Sequence, residues 1–66
     1  MIEYLKLLSF AQTKAVLNRS TYYVLLNKKN KSVVCNILNL SLLLNRGYNL
    51  IGYVDKNGYI SVINNT

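Results

Sequence analysis

The sequence predicts a small single α+β domain, residues 1–66, with the order helix, strand, helix, strand, strand and a C-terminal β-hairpin. Three observations predict it: a helical apolar pattern near the N-terminus, an uninterrupted run that ends at Gly47, and the turn Asp55-Lys56-Asn57-Gly58 between two strand-like runs. A chain of 66 residues forms one domain, and folding at this size buries only roughly 60% of the surface that the unfolded chain exposes. A deep catalytic cleft is therefore not expected.

The first two elements are predicted from periodicity and residue type. Over residues 2–17, a rotation of about 100° per residue places apolar side chains on one arc and polar ones opposite, which indicates an amphipathic helix. The apolar arc comprises Tyr4, Leu5, Leu7, Leu8, Ala11 and Ala15. After a polar break at residues 18–20, residues 21–26 are rich in β-branched and aromatic side chains and predict a strand, followed by a turn at residues 27–31.

The run from Ser32 to Arg46 contains no helix breaker. Val33, Val34 and Cys35 suit a strand as well as a helix, but the length of the run favours a helix. Ser32 is a competent N-cap, and Gly47 can take the left-handed position that ends a helix. We therefore predict a mostly buried helix over residues 32–46.

The last two strands are predicted at residues 49–54 and 59–63. They flank the Asp-Lys-Asn-Gly turn, where Gly58 supplies the positive φ that a four-residue hairpin loop usually needs. Antiparallel pairing of the two strands is the expected result, with residues 63–66 as a frayed tail.

The side chains that catalysis requires are scarce. There is no His, and the two carboxylates, Glu3 and Asp55, lie in different elements, so paired acid–base chemistry and metal ligation lack their parts. No glycine-rich phosphate loop is present. The single cysteine, Cys35, has no disulfide partner and no neighbouring base, which indicates a buried thiol. We expect no enzyme, no metal, no cofactor and no small-molecule substrate.

Positive charge is concentrated in the predicted turn. The formal net charge is +6, with eight Lys and Arg against two acids, which makes a polyanion the first partner to consider. Lys28, Lys29 and Lys31 lie within four positions, beside Asn27 and Asn30, whose amides can bond phosphate or sugar oxygens. Such a cluster gains affinity by releasing counterions; a solvated turn is the alternative interpretation. The cations that could extend the patch are Lys14, Arg19 and Arg46.

The remaining composition indicates a source rather than a site. Ten Asn, six Lys, six Tyr and five Ile, with no Pro, His or Trp, favour an AT-rich genome such as that of an organelle, a phage of a low-GC host or an archaeal virus. No apolar run approaches the roughly 20 residues that span a bilayer. We expect no membrane partner.

Five segments, taken in order along the chain, resemble the sequence pattern of a known family. They are Leu7-Leu8-Ser9, Tyr23-Val24-Leu25-Leu26, Lys31-Ser32, Asn45-Arg46-Gly47-Tyr48 and residues 49–54. Together they resemble the N-terminal half of the small-subunit ribosomal protein eight family, with organellar members the most similar. The resemblance covers nearly the whole chain and implies an α-β-α-β-β module that packs on ribosomal RNA. A hairpin between residues 21–26 and 32–37 would remove its main support.

The resemblance implies a structural constituent of a mitochondrial small ribosomal subunit, acting in translation in the matrix. Its partners would be rRNA, neighbouring ribosomal proteins and a separate chain that supplies the family's C-terminal half, which carries a serine/threonine-rich RNA-reading loop.

Two alternatives are small phage or viral proteins working in the host cytoplasm. Residues 8–23 are similar to a helix-turn-helix DNA-binding regulator of the excisionase or MerR kind, with a recognition helix that starts near Arg19-Ser20-Thr21 and a following hairpin as a wing. The other alternative is an inhibitor of a host protein.

Overall fold

Two helices and one antiparallel sheet make up the fold. The computed structural model describes residues 2–63, with side-chain exposure from residue 5 onward. The bounds are α1 Ile2–Asn18, β1 Tyr22–Leu26, β2 Ser32–Asn36, α2 Ile37–Asn45, β3 Asn49–Val54 and β4 Ile60–Val62. The sheet order is β2-β1-β3-β4, and every neighbouring pair is antiparallel. The predicted α+β class is confirmed, with one strand more than expected.

The predicted helix over residues 32–46 is wrong in its first third. Ser32–Asn36 forms β2 and pairs with β1, with Leu26 opposite Ser32 and Tyr22 opposite Asn36. The β-branched residues of this segment fit a strand surface better than a helix, and the preceding turn returns the chain beside β1. This is the hairpin that removes the main support for the ribosomal resemblance.

Asn36 marks the true start of the second helix. Its backbone is extended (φ −93°, ψ −177°), and its side-chain oxygen accepts a hydrogen bond from the amide of Leu38. An Asn N-cap of this kind allows a strand to pass directly into a helix, so Ser32 is not a cap. None of the nine residues of α2 is buried, and Leu38 is 83% exposed, so the expectation of a mostly buried helix is also wrong.

The main core lies between α1 and one face of the sheet. Leu8, Ala11 and Ala15 of α1 are buried against Val24 and Val54. The two alanines bring the helix close to β1 and β3 because their side chains are short. The predicted helix and most of its apolar arc are thus confirmed, although Leu5 is 64% exposed and Tyr4 lies outside the residues with described side chains.

A smaller core lies on the second face. Side chains alternate along a strand, so Leu25 points away from Val24 and α1. Tyr23 lies two positions before Leu25 and therefore on the same face, and Cys35 is paired with Tyr23 across β1 and β2. Cys35 thus shares this face with Leu25. Since α2 packs against β2 and β1, it covers both Leu25 and Cys35, which are 0% and 7% exposed.

The predicted C-terminal hairpin is confirmed. β3 pairs with β4, with Val54 opposite Ile60, and Gly58 in the turn has φ +89°. The amide of Ile63 donates to the carbonyl of Ile51 at 3.0 Å, so the first residue of the predicted tail is attached to the sheet. Residues 64–66 lie outside the described part of the chain.

Candidate nucleic-acid interface

The turn between β1 and β2 is fixed by one side chain. The Oδ1 atom of Asn27 accepts hydrogen bonds from the amides of Lys29 (2.9 Å) and Lys31 (2.8 Å). Two backbone bonds close the same turn: Asn27 N–H donates to Lys31 O, and Asn30 N–H donates to Asn27 O. Asn30 adopts φ +62°, a conformation that Asn tolerates better than most residues. Asn27 therefore holds the turn through its side-chain oxygen, whereas a contact to a phosphate or sugar oxygen would use its Nδ2 group, which these two bonds do not involve.

Helix α2 brings a fourth cation to this turn. α2 returns from the far end of β2, and Arg46 follows its last residue, donating its backbone N–H to Leu42 O and Leu43 O at 3.1 Å. Gly47 then takes φ +92°, as predicted for the residue that ends the helix, and redirects the chain into β3. The helix end consequently lies beside the turn at residues 27–31.

The turn and the helix end together enclose a shallow concavity of about 480 Å³. We refer to it as the lysine-turn site; its lining residues are Asn27, Lys28, Lys29, Lys31, Arg46, Gly47 and Tyr48. Four of these residues are cations with exposed side chains, and none is acidic. Such a surface attracts phosphate. Tyr48, which is half-buried, adds an aromatic side chain to the same lining.

Two of the six predicted cations lie elsewhere. The ammonium group of Lys14 lies 5.6 Å from the ring centre of Phe10, an exposed cation–π contact on α1. Arg19 lies at the opposite end of β1 from the lysine turn, just before Tyr22. The structure thus brings Lys28, Lys29, Lys31 and Arg46 together and leaves Lys14 and Arg19 apart. Sequence reasoning missed Tyr48, although its position directly after the helix-ending Gly47 was a usable signal.

The recognition helix of the proposed helix-turn-helix is not formed. Arg19 has φ +52°, which ends α1, and the residues from Tyr22 onward form β1. A strand at the centre of a sheet cannot enter the major groove as a recognition helix does.

Cys35 lies on β2, not on the helix face that the sequence predicted. Burial raises the pKa of its thiol above the ordinary value of 9.0, so the nucleophilic thiolate is disfavoured at neutral pH. The part of the chain that the structure describes contains no cluster of three or more His, Cys, Asp or Glu side chains that could hold a metal ion. Neither helix within residues 2–63 has the length and apolar character needed to cross a bilayer.

Comparisons with protein families, with curated proteins and with solved structures find no match to this chain. The lysine-turn site is therefore the feature of this protein that bears most directly on function.

Proposed function

We propose that this protein binds RNA, with the lysine-turn site as its phosphate-binding surface. The observation that carries the proposal is the convergence of Lys28, Lys29, Lys31 and Arg46 on one concavity without an acidic neighbour. The three lysines project from a turn fixed by Asn27, so the charges are held together at little entropic cost.

An unpaired strand fits this site better than a duplex. The concavity is shallow, and Tyr48 shares it with the four cations. A base can stack on an aromatic ring only when it is unpaired and accessible. A loop or a single-stranded segment of RNA satisfies both requirements, with phosphates on the cations and one base on Tyr48.

We further propose that the RNA is rRNA of a mitochondrial small ribosomal subunit. This narrower proposal rests on the sequence resemblance and on the amino-acid composition, which favours an AT-rich genome. The β1–β2 hairpin counts against the resemblance. The same proposal includes neighbouring ribosomal proteins and a separate chain that supplies the family's C-terminal half as partners. It also includes the mitochondrial matrix as the location. Sedimentation of tagged protein with small subunits through a sucrose gradient tests it, and protein that remains at the top of the gradient would reject it.

The RNA proposal is tested by the salt dependence of affinity. Each phosphate contact adds about 0.7 to 0.9 to the slope of log K against log salt. Replacing Lys28, Lys29 and Lys31 with Gln should therefore flatten that slope by about 2 to 3. All three side chains are exposed, so folding should hardly change.

A control variant with lysines changed outside the site separates the effect of the site from that of general charge. Lys6→Gln/Lys14→Gln removes two charges from exposed positions on α1, outside the lysine-turn site, and should change the slope little. Tight RNA binding with an unchanged slope in the lysine-turn variant would move the interface elsewhere. An absence of RNA binding by the wild type would reject the function.

The exposed apolar side chains of α2 favour a second candidate, binding to a protein. Leu38 is 83% exposed, Ile37 59% and Leu42 49%, which is unusual for a surface helix without a partner. An inhibitor of a host protein would show little salt-dependent RNA binding, so the same titration distinguishes the two functions.

A further inference from the structure

The two halves of the sheet repeat one backbone pattern. Four residues within the described chain have positive φ, and they form two pairs: Arg19 precedes Gly47 by 28 positions, and Asn30 precedes Gly58 by 28 positions. Arg19 and Gly47 each follow the end of a helix, whereas Asn30 and Gly58 each lie in a hairpin turn. In each half of the sheet one strand, β1 or β3, connects the helix end to the turn.

The two hairpin turns are closed by the same pattern of hydrogen bonds. Oδ1 of Asp55 accepts from the amides of Asn57 (2.9 Å) and Tyr59 (3.0 Å), as Oδ1 of Asn27 does in the first turn. Asp55 N–H donates to Tyr59 O, and Gly58 N–H donates to Asp55 O. Asp55 also follows Asn27 by 28 positions, so Lys56 occupies the place in its turn that Lys28 occupies in the first.

The repeat places the two turns at opposite ends of the sheet. Val24 of β1 faces Gly52 of β3 in antiparallel register, and these positions also differ by 28. An approximate twofold axis therefore passes between these two residues. The axis relates the strands and turns only, because α1 and α2 cover opposite faces.

The second turn forms a concavity of its own, as the first does. Val16, Arg19, Lys56 and Asn57 line a volume of about 590 Å³, again where a hairpin turn meets the residues that follow a helix. Gln12 Nε2 donates to Gly58 O at 2.8 Å and fixes this turn on α1. The result is a corner with two exposed positive charges. The Asp55 carboxylate, which accepts hydrogen bonds from the amides of Asn57 and Tyr59, holds the turn but is not among the lining residues.

We propose that Arg19 and Lys56 form a second phosphate-binding corner, and that one RNA strand runs over the surface of the fold between this corner and the lysine-turn site. The proposal rests on the proposed RNA-binding function. Cations at opposite ends of a sheet suit a linear polyanion, whereas a lipid surface would require them on one plane. The longest dimension of the fold is 29 Å. At most about nine nucleotides span it, because about 3.4 Å per phosphate is the spacing in a stacked strand and an extended strand covers more.

Oligonucleotide length provides the test. A uridine dodecamer can reach both corners, whereas a uridine tetramer reaches only one and should occupy the site with four cations. Arg19→Gln/Lys56→Gln should lower the salt slope for the dodecamer by about 1.4, from two contacts at about 0.7 each, and leave the slope for the tetramer unchanged. Lys6→Gln/Lys14→Gln, with the same loss of charge, should leave both slopes near those of the wild type.

The outcomes separate this inference from the function on which it rests. A dodecamer slope that responds to the triple lysine variant but not to Arg19→Gln/Lys56→Gln overturns the second corner and retains the first. Equal losses for both lengths overturn the spanning path, and no RNA binding by the wild type overturns both proposals. If the double variant fails to fold, Lys56→Gln alone, at an exposed turn position, should lower the dodecamer slope by about 0.7.

Discussion

Replacing Asn27 with Ala should destabilise the protein, because one side-chain oxygen holds the β1–β2 turn. Oδ1 of Asn27 accepts two backbone hydrogen bonds, from Lys29 and Lys31, at 2.9 and 2.8 Å. A typical hydrogen bond contributes about 0.5–1.5 kcal/mol net. Both donors belong to exposed residues, so water replaces part of the loss, and the expected cost is about 1–2 kcal/mol.

Asp is the informative replacement at the same position. Asp55 makes the equivalent bonds in the second turn, so Asn27→Asp should retain the stability that Asn27→Ala loses. The added carboxylate would lie within the lysine-turn site, however, and should weaken RNA binding. Stability and affinity are thus expected to separate in this one variant.

Urea unfolding followed by circular dichroism measures the free energies, with a constant m-value as the criterion for comparison. In a domain of this size, 1 kcal/mol corresponds to about 4–8 °C in Tm. Asn39→Ala is the control, since Asn39 is an exposed residue of α2, and its stability should stay within about 0.5 kcal/mol of the wild type. Equal stability of Asn27→Ala and the control, or equal losses in the Ala and Asp variants, would refute the role of Oδ1.

Three other changes probe the backbone and the second face. Gly58→Ala should destabilise the protein more than Gly47→Ala. Both glycines have positive φ, +89° and +92°, a conformation that costs a non-glycine residue about 1–2 kcal/mol. Only at Gly58 would the added Cβ also meet Val16 Cγ2, at 3.2 Å. Equal losses in urea unfolding would contradict this. Leu25→Ala should cost about 2–5 kcal/mol, since Leu25 is fully buried; a loss below 1 kcal/mol would show that α2 does not cover it. Native Cys35 should resist iodoacetamide at pH 8, because burial raises its pKa, and urea should abolish that protection. The thiol ionises at a lower pH in the unfolded chain than in the folded protein. The free energy of unfolding should therefore fall as pH rises above about 9, and the fall should be larger in the wild type than in Cys35→Ala.

Local signals predicted most of the fold. The period of α1, the β-rich segment at β1 and the Asp-Lys-Asn-Gly turn each act within a few residues, and the structure has all three. The prediction was wrong at residues 32–36, because the length of the run without a helix breaker was given more weight than its β-branched residues. Asn36 lies inside the predicted helix of residues 32–46, although Asn is a strong N-cap. The turn at residues 27–31 also has the geometry of the hairpin turn at residues 55–59.

The candidate site was less predictable than the fold. The three lysines are neighbours in sequence, so their clustering needed no tertiary information. Arg46 joins them only because α2 is nine residues long and runs back across the sheet. The proximity of Arg19 and Lys56 depends on the docking of the second turn on α1 through Gln12, a contact between residues 46 positions apart that no local pattern encodes.

The side-by-side arrangement of two tight hairpins also bears on how the chain folds. Tyr22 pairs with Asn36, 14 positions away, across a short turn, but with Val54, 32 positions away, across about half of the chain. Isolated hairpins form in about 1–10 μs, whereas joining distant segments adds the entropy cost of closing a long loop. We therefore expect the β1–β3 seam to form last and to limit the folding rate. The central pair, Val24 and Gly52, would then control the speed of folding more strongly than either turn does.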